Sequence, residues 1–301
     1  MELIRSDSNL NALTGIPKIT YLDQITKISQ LVINKLQYNI HFKLDLRERI
    51  TMTFMKLKLD LTFVSLGVFF GISNSCCTNY FLETIDLLYL VFKNVIIWSP
   101  KKVIQRNMPK CFDNFTNTRV ILDCTETRVE RPKCLSCKIR SYSHYKGNNT
   151  IKCMIGIAPD GLITFISKIY GGRASDKHIL NESCILDMCT EGDGIMVDKG
   201  FLIEKECSER GLILHRPPFL GKNKQLKLED GMFNTEIARA RVHVERTIQR
   251  IKIFKFFQNK IPWALTPKVS KIMVVIGGVV NISRPTIAEG GFNTSEIVNN
   301  N

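Results

Sequence analysis

Hydrophobic residues in the first third of the chain recur at helical spacing. They stand three and four positions apart between residues 21 and 36, and again in Leu44 to Leu59, Thr62 to Phe70 and Asn74 to Val91. This spacing predicts amphipathic helices. The last two helices are separated only by Gly71-Ile72-Ser73. A glycine-containing turn between a short helix and a longer one is typical of a helix-turn-helix, whose second helix enters the DNA major groove. A plain helical bundle is the alternative.

From about residue 119 the pattern changes to short apolar runs. Three strands are predicted first, and Pro159-Asp160-Gly161 joins the second and third as a hairpin. The predicted elements are strands at Arg119 to Glu126, Ile151 to Ala158 and Leu162 to Tyr170, a helix at His178 to Cys189, a strand at Gly194 to Val197, a helix at Ile203 to Arg210, a strand at Leu212 to His215 and a long helix at Asn234 to Phe257. This order predicts an α/β fold with a ribonuclease H-like mixed sheet flanked by helices, preceded by an all-helical region.

These patterns divide the chain into five segments. Trp98-Ser99-Pro100 and Met108-Pro109 mark a connection between the helical and the strand-rich parts. We predict an N-terminal helical segment at 1–41, a helix-turn-helix-like region at 42–98, a linker at 99–118, a ribonuclease H-like nuclease domain at 119–288 and an Asn-rich disordered tail at 289–301.

Composition adds a preference for polyanions. The 301 residues are 44% hydrophobic and 23% charged, which is an ordinary globular balance, and 42 Lys and Arg against 28 Asp and Glu give a net charge of +14. Such a surplus attracts nucleic acid first and acidic membranes second. No secretory pattern opens the chain. The longest apolar stretches, Leu61 to Ile72 and Ile272 to Val280, are shorter than the roughly 20 residues of a membrane span. We therefore expect a soluble intracellular protein with no membrane partner.

The ten cysteines are scattered, and without a secretion signal we expect reduced thiols. Cys134 and Cys137 form a C-x-x-C pair, but the other cysteines do not repeat that spacing, as a zinc site would require. A thiol-metal protein built on this pair is therefore the weakest of the functional hypotheses.

Three carboxylates fall on elements that can converge. Asp123 lies on the first predicted strand, Asp198 follows the fourth, and Glu245 lies on the long helix. If the strands that carry the aspartates are neighbours, the two side chains share one crevice, and a helix across that edge supplies the third. Divalent metals prefer carboxylate oxygens, and two of them about 4 Å apart can cleave phosphodiesters.

The long helix carries an apolar stripe with a basic flank. Glu245 stands at the edge of the stripe, which is predicted to face the sheet and consists of Ile237, Ala240, Val244, Ile248 and Ile251. An alternative is that Glu245 pairs with Arg241 or Gln249 along the helix.

The candidate DNA phosphate ligands lie on this helix and in two earlier segments. They are Lys146, Arg173, Arg241, Arg246, Arg250 and Lys252.

Seven motifs in order then carry a family resemblance. They are Val120 to Glu126, Glu130-Arg131-Pro132, Tyr142 to Lys146, Gly171 to Lys177, Val197 to Phe201, Pro217 to Leu220 and Arg241 to Lys252. This run resembles the DDE superfamily endonucleases of the PIF/Harbinger transposase group, and Leu44 to Leu90 is similar to the helix-turn-helix that precedes their nuclease domain.

The resemblance implies a ribonuclease H-like nuclease that cuts DNA at transposon ends. Its Asp-Asp-Glu triad would be Asp123, Asp198 and Glu245, which would serve both as catalytic residues and as ligands of Mg²⁺ or Mn²⁺. Asp176 matches a further acidic position of the family, although a helix N-cap explains it equally well. Glu126 is a candidate partner of the ligands.

The resemblance also implies a Myb-like DNA-binding partner protein that helps with nuclear import. Lys101-Lys102 is too short for a nuclear localisation cluster, so import with a partner to the nucleus, with a cytoplasmic pool, is consistent with the sequence. A homo-oligomer is a further expectation. The competing hypothesis is a domesticated, non-cleaving DNA-binding or interaction protein that retains the fold.

Overall fold

The computed structural model describes residues 4–36, 43–218 and 228–283. A helical N-terminal region precedes a mixed, curled sheet flanked by helices, as expected for a ribonuclease H-like α/β fold. The predicted tail at 289–301 and two motif residues, Phe219 and Leu220, lie outside the described residues. The first five helices are α1 (Asp7–Thr14), α2 (Ile19–Lys35), α3 (Leu46–Leu59), α4 (Phe63–Phe70) and α5 (Asn74–Phe92).

Local chemistry sets the tight turn between α4 and α5. Gly71 ends α4 in the left-handed region at φ +62°, which glycine adopts without steric cost. The hydroxyl of Ser73 caps α5 by accepting a hydrogen bond from the backbone N–H of Cys76 at 3.2 Å. A Cβ on Gly67 would lie 2.6 Å from the carbonyl oxygen of Ile72, so only glycine lets the turn fold back this closely. The predicted helix, turn and helix are therefore present.

The segment 99–118, predicted as a linker, carries regular structure. It contains the helix α6 (Lys101–Arg106) and a 3₁₀ helix at Lys110–Phe115. The side chains of Phe112 and Phe115 are buried and belong to the main hydrophobic core. The connection is thus packed onto the fold that it joins.

Seven strands form the sheet, in the spatial order β2-β3-β1-β6-β7, with β4 and β5 also paired to β3. They are β1 (Thr118–Arg128), β2 (Tyr142–Ser143), β3 (Asn148–Ile157), β4 (Ile163–Ile166), β5 (Tyr170–Gly171), β6 (Gly194–Val197) and β7 (Ile213–His215). The long central strand β1 runs antiparallel to β3 and parallel to β6. The bounds of β6 coincide with the predicted strand.

Helices cover both faces of this sheet. They are α7 (Leu135–Ser141), α8 (Asp176–Ser183), α9 (Glu204–Ser208), α10 (Leu228–Lys252), α11 (Lys255–Gln258) and α12 (Val269–Ile282). Because side chains alternate along a strand, Ile121 and Met196 join the core that includes α10 and α12, whereas Leu122 and Val197 join the core on the side of α8 and α9.

Two predicted elements are interrupted partway along. The strand predicted at Leu162 to Tyr170 is divided into β4 and β5, because the Ser167 hydroxyl accepts the backbone N–H of Met154 at 2.9 Å and so takes a donor from the ladder. The helix predicted to reach Cys189 ends at Ser183, because Cys184 adopts a left-handed φ of +54°. A 3₁₀ helix, Ile185–Met188, follows it.

The C-terminal apolar run forms a core helix. The helical stretch Trp263–Ile282 is 20 residues long and is apolar enough to cross a membrane, but 56% of its apolar part is buried inside the fold. Gly278 lets α12 approach α5, since a Cβ there would lie 2.3 Å from the Phe92 ring. Core packing accounts for this apolar composition.

Candidate active site

Asp123 and Asp198 lie at the same level of two adjacent strands. Leu122 of β1 is paired with Val197 of β6 in the parallel register, and each aspartate is the next residue along the chain. Strand alternation turns both carboxylates toward the face that α10 covers. The prediction that the two strands carrying the aspartates are neighbours in the sheet is confirmed.

The Asp123 carboxyl sits in a largely dehydrated position. Burial raises its pKa from 3.8 to about 6, against the lowering effects of the Arg241 guanidinium and of the Cys124 N–H. That N–H donates to Asp123 Oδ1 at 2.7 Å. The negative charges of Asp198 and Asp176 raise the pKa further. A carboxylate in this environment is stabilised by any cation that comes close to it.

Arg241 on α10 supplies such a cation. Its Nη1 donates to Asp198 Oδ1 at 2.9 Å, and its side chain is only 12% exposed. Its Nε is buried and has no hydrogen-bond partner within the described ranges. All five residues of the predicted apolar stripe are buried. This packing fixes α10 against the sheet and directs Arg241 to the aspartates.

Asp176 is held by a helix cap and by a lysine. It is the first residue of α8, after Ser175, whose hydroxyl accepts the His178 N–H at 3.1 Å. Lys152 Nζ donates to Asp176 Oδ1 at 3.2 Å and to the Ala174 carbonyl at 3.1 Å. Asp176 is thus an N-terminal helix residue with a charge that also acts on Asp123.

Glu126 lies further along β1 and accepts a hydrogen bond from the Thr150 hydroxyl of β3. A Cβ on Gly172 would meet that hydroxyl at 1.9 Å, so a glycine here lets the Gly171–Ser175 loop pass directly over the strand pair. Glu126 is therefore engaged by the sheet itself.

Glu245 lies on the exposed side of α10, one turn after Arg241. It forms no ion pair with any described residue, and Arg241 bonds to Asp198, so the predicted alternative of an Arg241–Glu245 pair is not formed. Among the described residues, no group of three or more His, Cys, Asp and Glu side chains could hold a metal ion. The structure brings Asp123 and Asp198 together with Arg241, and the triad role of Glu245 stays a prediction.

The predicted phosphate ligands are spread over three elements. Arg241 lies at the aspartates, Arg173 is exposed in the loop before α8, and Lys146 is exposed in the turn between β2 and β3. The remaining three, Arg246, Arg250 and Lys252, lie further along α10. Arg250 lines a cleft with Lys58 and Phe254, and burial lowers its pKa together with the charge of Arg246.

Lys152 and the Arg241–Asp198 bond were not predicted as parts of the site. The opposition of Lys152 and Glu126 across β1 and β3 is a consequence of strand register, which the sequence alone does not give. Arg241 stands three residues before Val244 of the apolar stripe, so the two side chains lie on the same side of the helix. That spacing could have indicated that Arg241 faces the sheet and the aspartates.

Family comparisons agree with this geometry. The family model described as DDE superfamily endonuclease matches residues 122–281, and the model described as helix-turn-helix of DDE superfamily endonuclease matches residues 42–94. A curated relative, a probable transposase for insertion sequence element IS702 from Microchaete diplosiphon, is 26% identical over 220 residues, which cover 72% of this chain and 74% of the relative. No solved structure matches the chain.

Proposed function

The chain belongs to the DDE superfamily endonucleases, and on that premise we propose that it is a divalent-metal-dependent DNA endonuclease that acts as a transposase of the Harbinger type. The observation that carries the proposal is the pair formed by Asp123 and Asp198, which follow registered residues of two parallel strands. A half-buried carboxyl lies beside an exposed one, and the Arg241 guanidinium is bonded to the exposed one. This arrangement is suited to a metal-assisted reaction on a polyanion.

The donor set fits Mg²⁺ or Mn²⁺. Carboxylate oxygens are the ligands these hard cations prefer, and Asp123 and Asp198 would hold the metal together with Glu245. The buried Arg241 Nε has no described hydrogen-bond partner, and a phosphate oxygen beside Asp198 would supply the acceptor that this donor lacks. When bound, divalent metal supplies activation of water or a 3′-hydroxyl and stabilisation of the leaving oxygen.

The protein's own residues prepare the site for DNA. Arg241 balances the charge of the two aspartates, and its remaining N–H donors can bind a phosphate oxygen beside Asp198. Because the pKa of Asp123 is about 6, its carboxyl is ionised at neutral pH and becomes protonated in mild acid. The site is therefore expected to lose its affinity for cations as the pH falls through 6.

The helix-turn-helix would select the DNA. The exposed first turns of α5 carry Asn74, Ser75 and Asn79, and amide side chains can bind base edges in the major groove. No Lys or Arg lies in α5. Phosphate contacts are therefore expected from other parts of the chain.

Nicking of a supercoiled plasmid tests the proposal. The full chain should nick the plasmid with Mg²⁺ or Mn²⁺ and not with EDTA, and D198N and E245Q should each lower the rate at least about 100-fold, since each removes several kcal/mol of transition-state stabilisation. D187N is the matched control, because Asp187 is exposed and bonds to Arg210. Unchanged nicking by D198N refutes the enzyme assignment, and unchanged nicking by E245Q refutes the third ligand. DNA binding without nicking favours the non-cleaving alternative.

The proposal includes a nuclear location, a Myb-like partner protein and self-association. The net charge of +14 supports a nucleic-acid environment. A fluorescent fusion expressed with and without a Myb-like protein tests the first two. Nuclear accumulation that does not depend on that protein would refute the proposed role of a Myb-like partner. Light scattering of the purified chain tests the third.

A further inference from the structure

A basic cleft of about 360 Å³ lies at the end of β1 beyond the aspartates. Arg131, Lys138 and Lys260 line it, together with Tyr142 and the buried Asn149. Val129, at the base of the cleft, is six residues along the chain from Asp123. At about 3.3 Å per residue this places the cleft about 20 Å from the aspartates. It is therefore separate from the candidate active site.

Hydrogen bonds between several parts of the chain build this cleft. The N–H of Ile261 donates to the Arg128 carbonyl and the N–H of Glu130 donates to the Ile261 carbonyl, both at 2.9 Å, which fixes Lys260 beside the end of β1. Asn149 Nδ2 donates to the Lys138 carbonyl at 3.0 Å and to Ser141 Oγ at 2.8 Å. The basic side chains thus project from a backbone that is held in place.

The positive charge of the cleft is not balanced locally. Arg131, Lys138 and Lys260 form no ion pair with any described acidic residue. The neighbouring carboxylate, Glu130, accepts the backbone N–H of Trp263 at 3.0 Å. Three cations around one concave surface favour an anionic ligand with oxygen acceptors, such as a phosphodiester.

Exposed aromatic rings adjoin the cleft. The turn from β2 to β3 is closed by Gly147 at φ +60°, and it presents Tyr145, which is 87% exposed. Lys146 Nζ lies 4.7 Å from the centre of that ring, and Tyr142 makes an edge contact with His144. A ring so exposed contributes little to packing. Aromatic side chains interleaved with cations are the means by which proteins bind unpaired nucleotides, by stacking bases and contacting the backbone.

We propose that this cleft and the β2–β3 turn form a second nucleic-acid site that takes an unpaired DNA strand, with a phosphodiester between Arg131, Lys138 and Lys260 and a base stacked on Tyr145. The proposal goes beyond the proposed endonuclease and does not require cutting. An acidic peptide would use the cations and leave the aromatic turn without a role. If one DNA molecule spans both sites, a separation of about 20 Å corresponds to about six phosphates at the 3.4 Å spacing of a B-DNA strand, and to fewer in a more extended unpaired strand.

Anisotropy with a labelled 20-nucleotide single strand tests the site, using the full chain in EDTA so that no cutting intervenes. Y145A should weaken binding about 5- to 100-fold and Y145F should bind as the wild type, because stacking needs the ring and not the hydroxyl. The double variant R131A/K260A should lower the slope of log affinity against log salt by about 1.4, since each single-strand phosphate contact contributes about 0.7. K205A is the matched control, because Lys205 is an exposed lysine on α9.

Three results would overturn this proposal. They are single-strand affinity of Y145A equal to that of K205A, an unchanged salt slope in R131A/K260A, and displacement of the strand by ATP at equal phosphate concentration, which would identify a nucleotide or free-phosphate site. Circular dichroism confirms that each variant is folded. D198N separates this site from the proposed function, because it should lose nicking and keep single-strand binding. Weak binding by Y145A supports the second site even if the wild type nicks nothing.

Discussion

Replacing Asp123 by Asn should stabilise the metal-free protein. The pKa of Asp123 is raised from 3.8 to about 6, mainly by burial. Each pKa unit corresponds to about 1.4 kcal/mol, so ionisation of this carboxyl costs the folded state up to about 3 kcal/mol at neutral pH. D123N removes the charge at nearly the same volume. Because a pKa of about 6 already includes the attraction to Arg241, this cost is the net effect of the charge, and we expect D123N to be more stable by about 1–3 kcal/mol.

The pH dependence of this stability difference shows whether the charge of Asp123 causes it. A carboxyl whose pKa is higher in the folded than in the unfolded chain holds its proton longer when folded, so its stabilising contribution is complete below about pH 4 and is lost as the pH rises through 6. The difference between D123N and the wild type should therefore be near zero at pH 3.5 and complete above pH 7. Charge changes elsewhere affect both proteins equally and cancel in this difference.

Thermal unfolding in EDTA, followed by circular dichroism between pH 3.5 and 8, measures the effect. The stabilisation should raise the Tm of D123N above that of the wild type by roughly 2–8 °C at pH 8. D187N, which changes an exposed carboxyl, should unfold as the wild type does. In a parallel series without EDTA, added Mn²⁺ should raise the Tm of the wild type and not that of D123N. Equal Tm values at pH 8, or a difference that persists at pH 3.5, would refute the reasoning.

Two further predictions follow from individual contacts. R241A should raise the pKa of Asp123 further, because the guanidinium lowers it. The pH midpoint of the Mn²⁺-induced Tm shift should rise accordingly, and R241K should restore most of it. G67A should destabilise the helix-turn-helix by about 1–3 kcal/mol, since its Cβ would lie 2.6 Å from the Ile72 carbonyl oxygen. Limited proteolysis should then cut near the turn, whereas a variant cut no faster than the wild type contradicts this close contact.

Sequence pattern predicted the elements whose periodicity reflects one-sided burial. The stripe of α10 is an example, because its apolar residues recur against a single packed face. The helix α12 was not predicted, because its run from Ile272 to Val280 is buried almost throughout and so has no polar face to reveal a period.

The part of the site that depends on which strands are adjacent was predicted. Adjacent strands bring Asp123 and Asp198 together, and the family motifs supplied the two positions. The bond between Arg241 and Asp198 was not predicted, because 43 residues separate the partners and several cations of α10 could serve. The division of β4 from β5 depends on the direction of one hydroxyl, that of Ser167, which residue type alone does not determine.

That division has a consequence for self-association of the sheet. An unpaired strand edge is a template for another chain, and proteins reduce this hazard by keeping edge strands short. One edge of the sheet is formed by the short strands β2, β4 and β5, which have two, four and two residues. The opposite edge is β7, which has three residues. No described edge therefore offers a long continuous row of backbone groups to a second copy. In the proposed function the protein gathers on DNA, and the short edges would let it reach a high local density there without fibrillar aggregation.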